Sequence, residues 1–158
     1  MIPKSSSPSK TIASALVWAA AFALSVASCA AVQPAVPLEK TYWRLLEVKS
    51  APSAVSMGQR APHIVFDPGK KRVTGYSGVN NFFGGYSKSD HELRMPRLAA
   101  TRRAGPPEMM DLESAFFRAL TATRSYRISH DELELLDADG RAIARFRAEK
   151  LFPSTVEK

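Results

Sequence analysis

The chain has 158 residues, 45% of them hydrophobic, enough for one ordinary domain with a core plus a tail. It carries 22 basic against 15 acidic residues, a formal net charge of +7, and one cysteine, which excludes an internal disulfide. His63, His91 and His130 lie too far apart in sequence to suggest a local cluster, so no metal and no cofactor are expected.

The first 28 residues read as a secretory signal peptide. Lys4 and Lys10 form a positive start, Thr11 to Leu24 is apolar and alanine-rich, and Val26-Ala27-Ser28-Cys29 closes the segment. That closing run resembles the lipobox of bacterial lipoproteins. The resemblance implies that Cys29 is lipidated and becomes the N-terminus after cleavage. An uncleaved anchor is the competing reading, because Thr11 to Val32 is long enough to span a bilayer. Ala30 stands where an aspartate would signal inner-membrane retention. Its presence resembles an outer-membrane address, facing the periplasm. Cleavage removes Lys4 and Lys10, leaving 20 basic against 15 acidic residues, a net +5. In an envelope, such charge favours lipid head groups or polysaccharide phosphates, and nucleic acid is not an expected partner.

Residues 29–39 read as a tether, carrying Pro34 and Pro37. The domain proper spans residues 40–148, and residues 149–158 form a loose tail. Within the domain, Thr41 to Lys49 reads as a first strand, followed by a Pro-, Ser- and Gly-rich loop. His63 to Asp67 and Arg72 to Tyr76 are short strands around Pro68-Gly69. Phe82 to Ser87 and Glu92 to Met95 read as the two arms of another hairpin.

One helix follows. Gly105 is a candidate cap, Pro106 suits the first helical position, and Glu108 suits the positive end of the dipole. Met109, Leu112, Phe116 and Leu120 fall on one face, flanked by Ala115 and Ala119. That face either packs on a sheet or lines a ligand cavity through Met109, Leu112 and Phe116.

The last segment sets out its own pairing. A two-residue type I′ turn at Asp139-Gly140 would place Leu136 opposite Ile143, Glu134 opposite Arg145 and Glu132 opposite Arg147. On the other face it sets Leu133 against Phe146 and Leu135 against Ala144. A turn at His130-Asp131 adds Arg127 opposite Glu134 and Ile128 opposite Leu133. The result is a meander with one apolar and one charged face, so its arginines belong to a solvated charge ladder.

Gly75 to Tyr86, GYSGVNNFFGGY, holds four of the 8 glycines. A phosphate cradle needs backbone N–H groups converging at a helix N-terminus. This stretch has no G-x-G-x-x-G spacing and no following helix. It reads as a bent hairpin, with glycine supplying bulges and sharp bends.

Trp43 on the first strand, then VTGYSGVNNFFGGY, LAATRRAGPPEMMDLESAFFRAL and SYRISHDELELLDADGRAIARF, together resemble the META domain, also called the HslJ-like family. The resemblance covers Thr41 to Phe146. It implies an α+β fold, mainly antiparallel β: a small, strongly curved, barrel-like sheet with one packed α-helix. It carries over Trp43, Gly75, Gly78, Asn80, Phe83, Gly84, Tyr86 and Thr101 as structural motif positions. It implies no catalytic activity and a loose link to envelope function and stress tolerance. The family commonly shows Gly-Cys-Asn at Gly78-Val79-Asn80 and Met-Ala-Cys at Arg103-Ala104-Gly105. The joint loss of two cysteines implies a disulfide in relatives that this chain lacks.

No nucleophile–histidine motif is present, and His91 between Asp90 and Glu92 reads as a solvated turn rather than an acid–base cluster. An enzyme is not expected. Two functions remain open. One is a lipid-tethered envelope module that meets another protein through a loop or sheet edge. The other is a carrier holding a hydrophobic ligand between helix and curved sheet. Internal volume separates them.

Overall fold

A computed structural model describes residues 35–51 and 60–149. The leader, Cys29, most of the tether and residues 150–158 lie outside the described residues.

Strand β1 (Tyr42–Val48) is followed by β2 (His63–Asp67), β3 (Arg72–Tyr76), β4 (Asn81–Gly85), β5 (Ser87–Ser89), β6 (Glu92–Arg94) and β7 (Leu98–Ala100). Helix α1 (Pro107–Ala122) precedes β8 (Ser125–Ser129), β9 (Glu132–Leu136) and β10 (Ala142–Glu149). The strands form a single curled half-barrel sheet in the order β5-β6-β8-β9-β10-β1-β2-β3-β4-β7, antiparallel throughout. The protein is mainly β with one helix among the described residues, as expected.

Alternation builds the inner face. Trp43 and Leu45, Ile64 and Phe66, Leu133 and Leu135, and Ala144 and Phe146 all point into the core. Two bulges interrupt the period, between Leu45 and Glu47 and between Ala142 and Ala144. A bulge adds twist and bends its strand, which helps a sheet to curl. Helix α1 is amphipathic and buries Leu112, Ala115, Phe116, Ala119 and Leu120. It lies against β1 and β10.

The β8-β9-β10 meander follows the sequence closely. Arg127 faces Glu134, Ile128 faces Leu133, and the two-residue turn falls at His130-Asp131. Exposed ion pairs join Arg127 to Glu134 at 2.5 Å and Arg147 to Glu132 at 2.6 Å. Such pairs contribute little to stability but keep this face in water. Arg145 lies opposite Glu134 yet pairs with Glu47 of β1 at 2.5 Å.

Several expectations need correction. The Asp139-Gly140 turn is not type I′. Only Gly140 has positive φ, +75°, and the loop is closed by Gly140 N–H to Asp137 O and Asp137 N–H to Arg141 O. Asp137 Oδ1 also accepts the N–H groups of Asp139 and Arg141, which favours the longer loop. Leu136 therefore faces Ala142, and Ile143 sits in the bulge. Phe82 to Ser87 is not one arm of a hairpin. It breaks at Tyr86: β4 pairs with β3 and β7, whereas β5 pairs with β6 near the other end of the sheet. Pro106, not Gly105, is the N-cap of α1, and Pro107 opens the helix. At the other end, Arg124 donates to the carbonyls of Thr121 and Thr123, as a cation near a C-terminus should. Leu38 of the expected tether is 4% exposed, and Val36 N–H donates to His130 O. Residues 36–39 thus belong to the fold, and Glu149, placed in the tail, ends β10.

Candidate functional site

The glycine-rich loop between β3 and β4 is held by a carboxylate from the helix. Glu113 is buried on the inner face of α1. Its Oε2 accepts the Asn80 N–H at 3.0 Å and the Ser77 hydroxyl, and its Oε1 accepts Asn80 Nδ2–H at 2.9 Å. Asn80 Oδ1 in turn accepts Thr101 Oγ1–H at 2.7 Å and Arg103 N–H at 2.8 Å. Asn80 Nδ2 also donates to Arg103 O at 3.2 Å. One asparagine therefore ties the loop, the helix and the segment after β7 together. Its amide orientation is fixed by that pattern, because a flipped group would set donors against donors.

The other motif positions fall around this node. Trp43 is fully buried and its indole N–H donates to Leu38 O at 2.8 Å. Gly78 adopts φ +109°, a conformation side chains rarely tolerate. A Cβ at Gly75 would lie 2.1 Å from the His63 carbonyl, and one at Gly84 would lie 2.3 Å from that of Arg97. These glycines permit close strand approach. Tyr86 is buried and donates to Glu39 at 2.5 Å. Burial and the Glu39 carboxylate push its phenol far above the ordinary range. Phe83 departs from the pattern: it is 51% exposed on the outer face, with the Arg72 guanidinium 5.3 Å from its ring centre.

On the same outer face, Tyr42 stacks on His63 with ring centres 4.3 Å apart, and Arg60 lies over Tyr76. Burial pushes the His63 imidazole below its ordinary pKa, with the Arg60 charge adding to the effect. His91 is exposed in the β5-β6 turn with Asp90 and Glu92 also in water.

Of the candidate cavity-lining residues, Phe116 is fully buried and Leu112 nearly so, whereas Met109 is half-buried. Phe116 packs edge-to-face against Phe82 at 5.7 Å and against Phe117 and Phe146 at 6.1 Å. Surface depressions lie elsewhere, one beside Val36, Thr41, Tyr42 and Ala148, another beside Leu38, His91, Tyr126 and Ile128.

The sequence reading missed Glu113. The signal was its position: it falls four residues after Met109 and three before Phe116, on the apolar face.

Val79 and Gly105, where related sequences were expected to carry cysteines, touch. A Cβ built on Gly105 lies 3.5 Å from Val79 Cβ and 2.8 Å from one of its methyl carbons. That Cβ separation is within reach of a disulfide. The double variant Val79→Cys, Gly105→Cys is therefore expected to oxidise spontaneously and to gain about 2–4 kcal/mol over its reduced form. Thiol titration and paired melting curves check this; a free-thiol double variant in air would count against the geometry.

No curated protein matches the sequence. Two solved structures share the fold. An NMR structure of a protein from Burkholderia xenovorans is 21% identical, with a TM-score of 0.60 over 94% of this chain and 99% of that one. A second NMR structure is 24% identical, with a TM-score of 0.55 over 70% of this chain and 90% of that one. The META domain family model matches residues 36–150, and the chain belongs to that family.

Proposed function

We propose that the chain is a lipid-tethered, non-enzymatic domain of the bacterial envelope that acts by presenting its surface to another protein. Its contribution to stress tolerance would follow from that contact. The observation that carries this reading is how the interior is used. Phe116 is packed on three aromatic rings, and the Glu113 carboxylate accepts three hydrogen bonds from the loop. Groups engaged in this way hold the fold and are not free to grip a substrate. The Cys29 anchor would set the domain at a membrane surface, where a modest affinity suffices because both partners are confined.

The test is native mass spectrometry of residues 31–158, purified gently from an envelope extract. The bare polypeptide mass is expected. A discrete adduct that vanishes on denaturation would overturn the reading in favour of a hydrophobic-ligand carrier.

A further inference from the structure

We propose that the free edge of β7 is a docking site for an extended, acidic peptide segment of a partner protein, which adds to the sheet as an eleventh strand. The proposal rests on the interaction reading above and names its surface.

Among the described residues, strand β7 ends the sheet and pairs only with β4. Thr101 N–H donates to Asn81 O, so Asn81 and Thr101 form a hydrogen-bonded pair. Hydrogen-bonded and open pairs alternate along an antiparallel ladder. Ala99 therefore bonds to Phe83 across β4, while Leu98 and Ala100 turn their N–H and C=O groups outward. Those four groups are what an added strand would need.

The edge is held ready. Asn80 Oδ1 accepts both the Thr101 hydroxyl and the Arg103 N–H, which fixes the chain just past β7. A preorganised strand loses little entropy on pairing.

The two sheet edges differ. Strand β5 reads Ser-Lys-Ser, short and polar with Lys88 at its centre, as protected edges commonly are. Strand β7 reads Leu-Ala-Ala, and its charges sit outside it, at Arg97, Arg102 and Arg103, all exposed. Arg97 and Arg102 are five residues apart, about 17 Å along an extended chain. A segment with carboxylates near both ends and apolar residues between them matches that spacing. On the outer face Ala99 lies opposite Phe83, so a bulky residue on the incoming strand could cover the small alanine and reach the exposed ring. Pairing with a second copy of β7 is disfavoured, because it would bring arginines from both copies onto one short edge.

The probe is an eight-residue peptide of alternating valine and threonine with two aspartates at each end, compared with the same peptide ending in lysines. The readout is amide exchange by NMR on the folded protein. The aspartate peptide is expected to slow exchange at Leu98 and Ala100 at least tenfold at saturation, and the lysine peptide to leave it unchanged. Ala100→Pro removes an outward N–H that β4 does not use, so it is expected to abolish the response with the melting temperature preserved. The double variant Arg97→Glu, Arg102→Glu should reverse the preference toward the lysine peptide; this variant keeps the test valid if Ala100→Pro fails to fold. No protection, protection that survives Ala100→Pro in a folded variant, or equal binding of the two peptides would overturn the proposal. So would protection by phosphatidylglycerol vesicles that is indifferent to Ala100→Pro, which would mark the arginines as a membrane contact. Such failures leave the broader interaction reading standing, since that reading is tested at the interior, by a ligand adduct in the native mass measurement or an apolar cavity beside Phe116, and not at this edge.

Discussion

Glu113→Ala is expected to cost about 3–5 kcal/mol, measured by urea denaturation of the domain. The buried carboxylate accepts from Asn80 N–H, Asn80 Nδ2–H and the Ser77 hydroxyl. Alanine removes that shared acceptor and leaves each donor only its second partner: Ser77 Oγ for the Asn80 N–H, Asn80 O for the Ser77 hydroxyl and Arg103 O for Asn80 Nδ2. A hydrogen bond to a carboxylate contributes about 1.5–3 kcal/mol, three are lost together, and an ordinary domain holds only about 5–15 kcal/mol in total. The loss should also spread beyond the loop. With Asn80 released, Thr101 and Arg103 lose the carbonyl oxygen that fixes the chain after β7. Amide exchange in residues 98–103 should therefore accelerate more than exchange in β9. Glu113→Gln is the control. It keeps one acceptor oxygen and most of the volume, so it should lose less, about 1–2 kcal/mol. A Glu113→Ala variant within 1 kcal/mol of the parent, an order-of-magnitude threshold set by one ordinary hydrogen bond, would show that the clamp is not a principal source of stability.

The limits of the sequence reading follow from the same residues. The β8-β9-β10 meander could be read in detail because its information is local and redundant. Leu133, Leu135, Ala144 and Phe146 alternate with charged residues, and a slip by one would turn every apolar side chain to water. The bulge at Ile143 was not legible, because Ile143 is as apolar as its neighbours and only the three-residue Asp137 loop moves the register. The break at Tyr86 was hidden for another reason. Gly84 and Gly85 carry no side chain, so nothing in the pattern marks where one strand leaves the sheet and the next joins its far side. Glu113 was visible yet passed over, since a glutamate on a helix ordinarily faces water. Its partners lie 33 and 36 residues away, and no local rule connects them. The order of strands across the sheet is likewise a product of long-range pairing, with β6 beside β8 and β10 beside β1.

Phe116→Ala is the second large effect, expected at about 3–5 kcal/mol. Phe116 is fully buried at the centre of α1, and its ring meets Phe82, Phe117 and Phe146. Truncation removes the transfer free energy of the ring and leaves a cavity that packed aromatics cannot collapse to fill. The two functional readings part here. If α1 and the sheet enclose a ligand cavity, Phe116 lines a space, has fewer packed neighbours, and truncation should cost well under 2 kcal/mol, an order-of-magnitude bound below the usual core range. The reverse substitution is the complement. Phe116→Trp overfills a packed core, at about 1–3 kcal/mol, but would be tolerated beside an empty volume. Benzene gives a third view. An engineered dry apolar cavity binds it, so Phe116→Ala should be stabilised by added benzene while the parent is not. If the parent itself gained several degrees in benzene, the interior would already hold an apolar cavity, and the carrier reading would take over. A silent parent would leave the free edge at Leu98 and Ala100 and the exposed ring of Phe83 as the surfaces on which this fold can act.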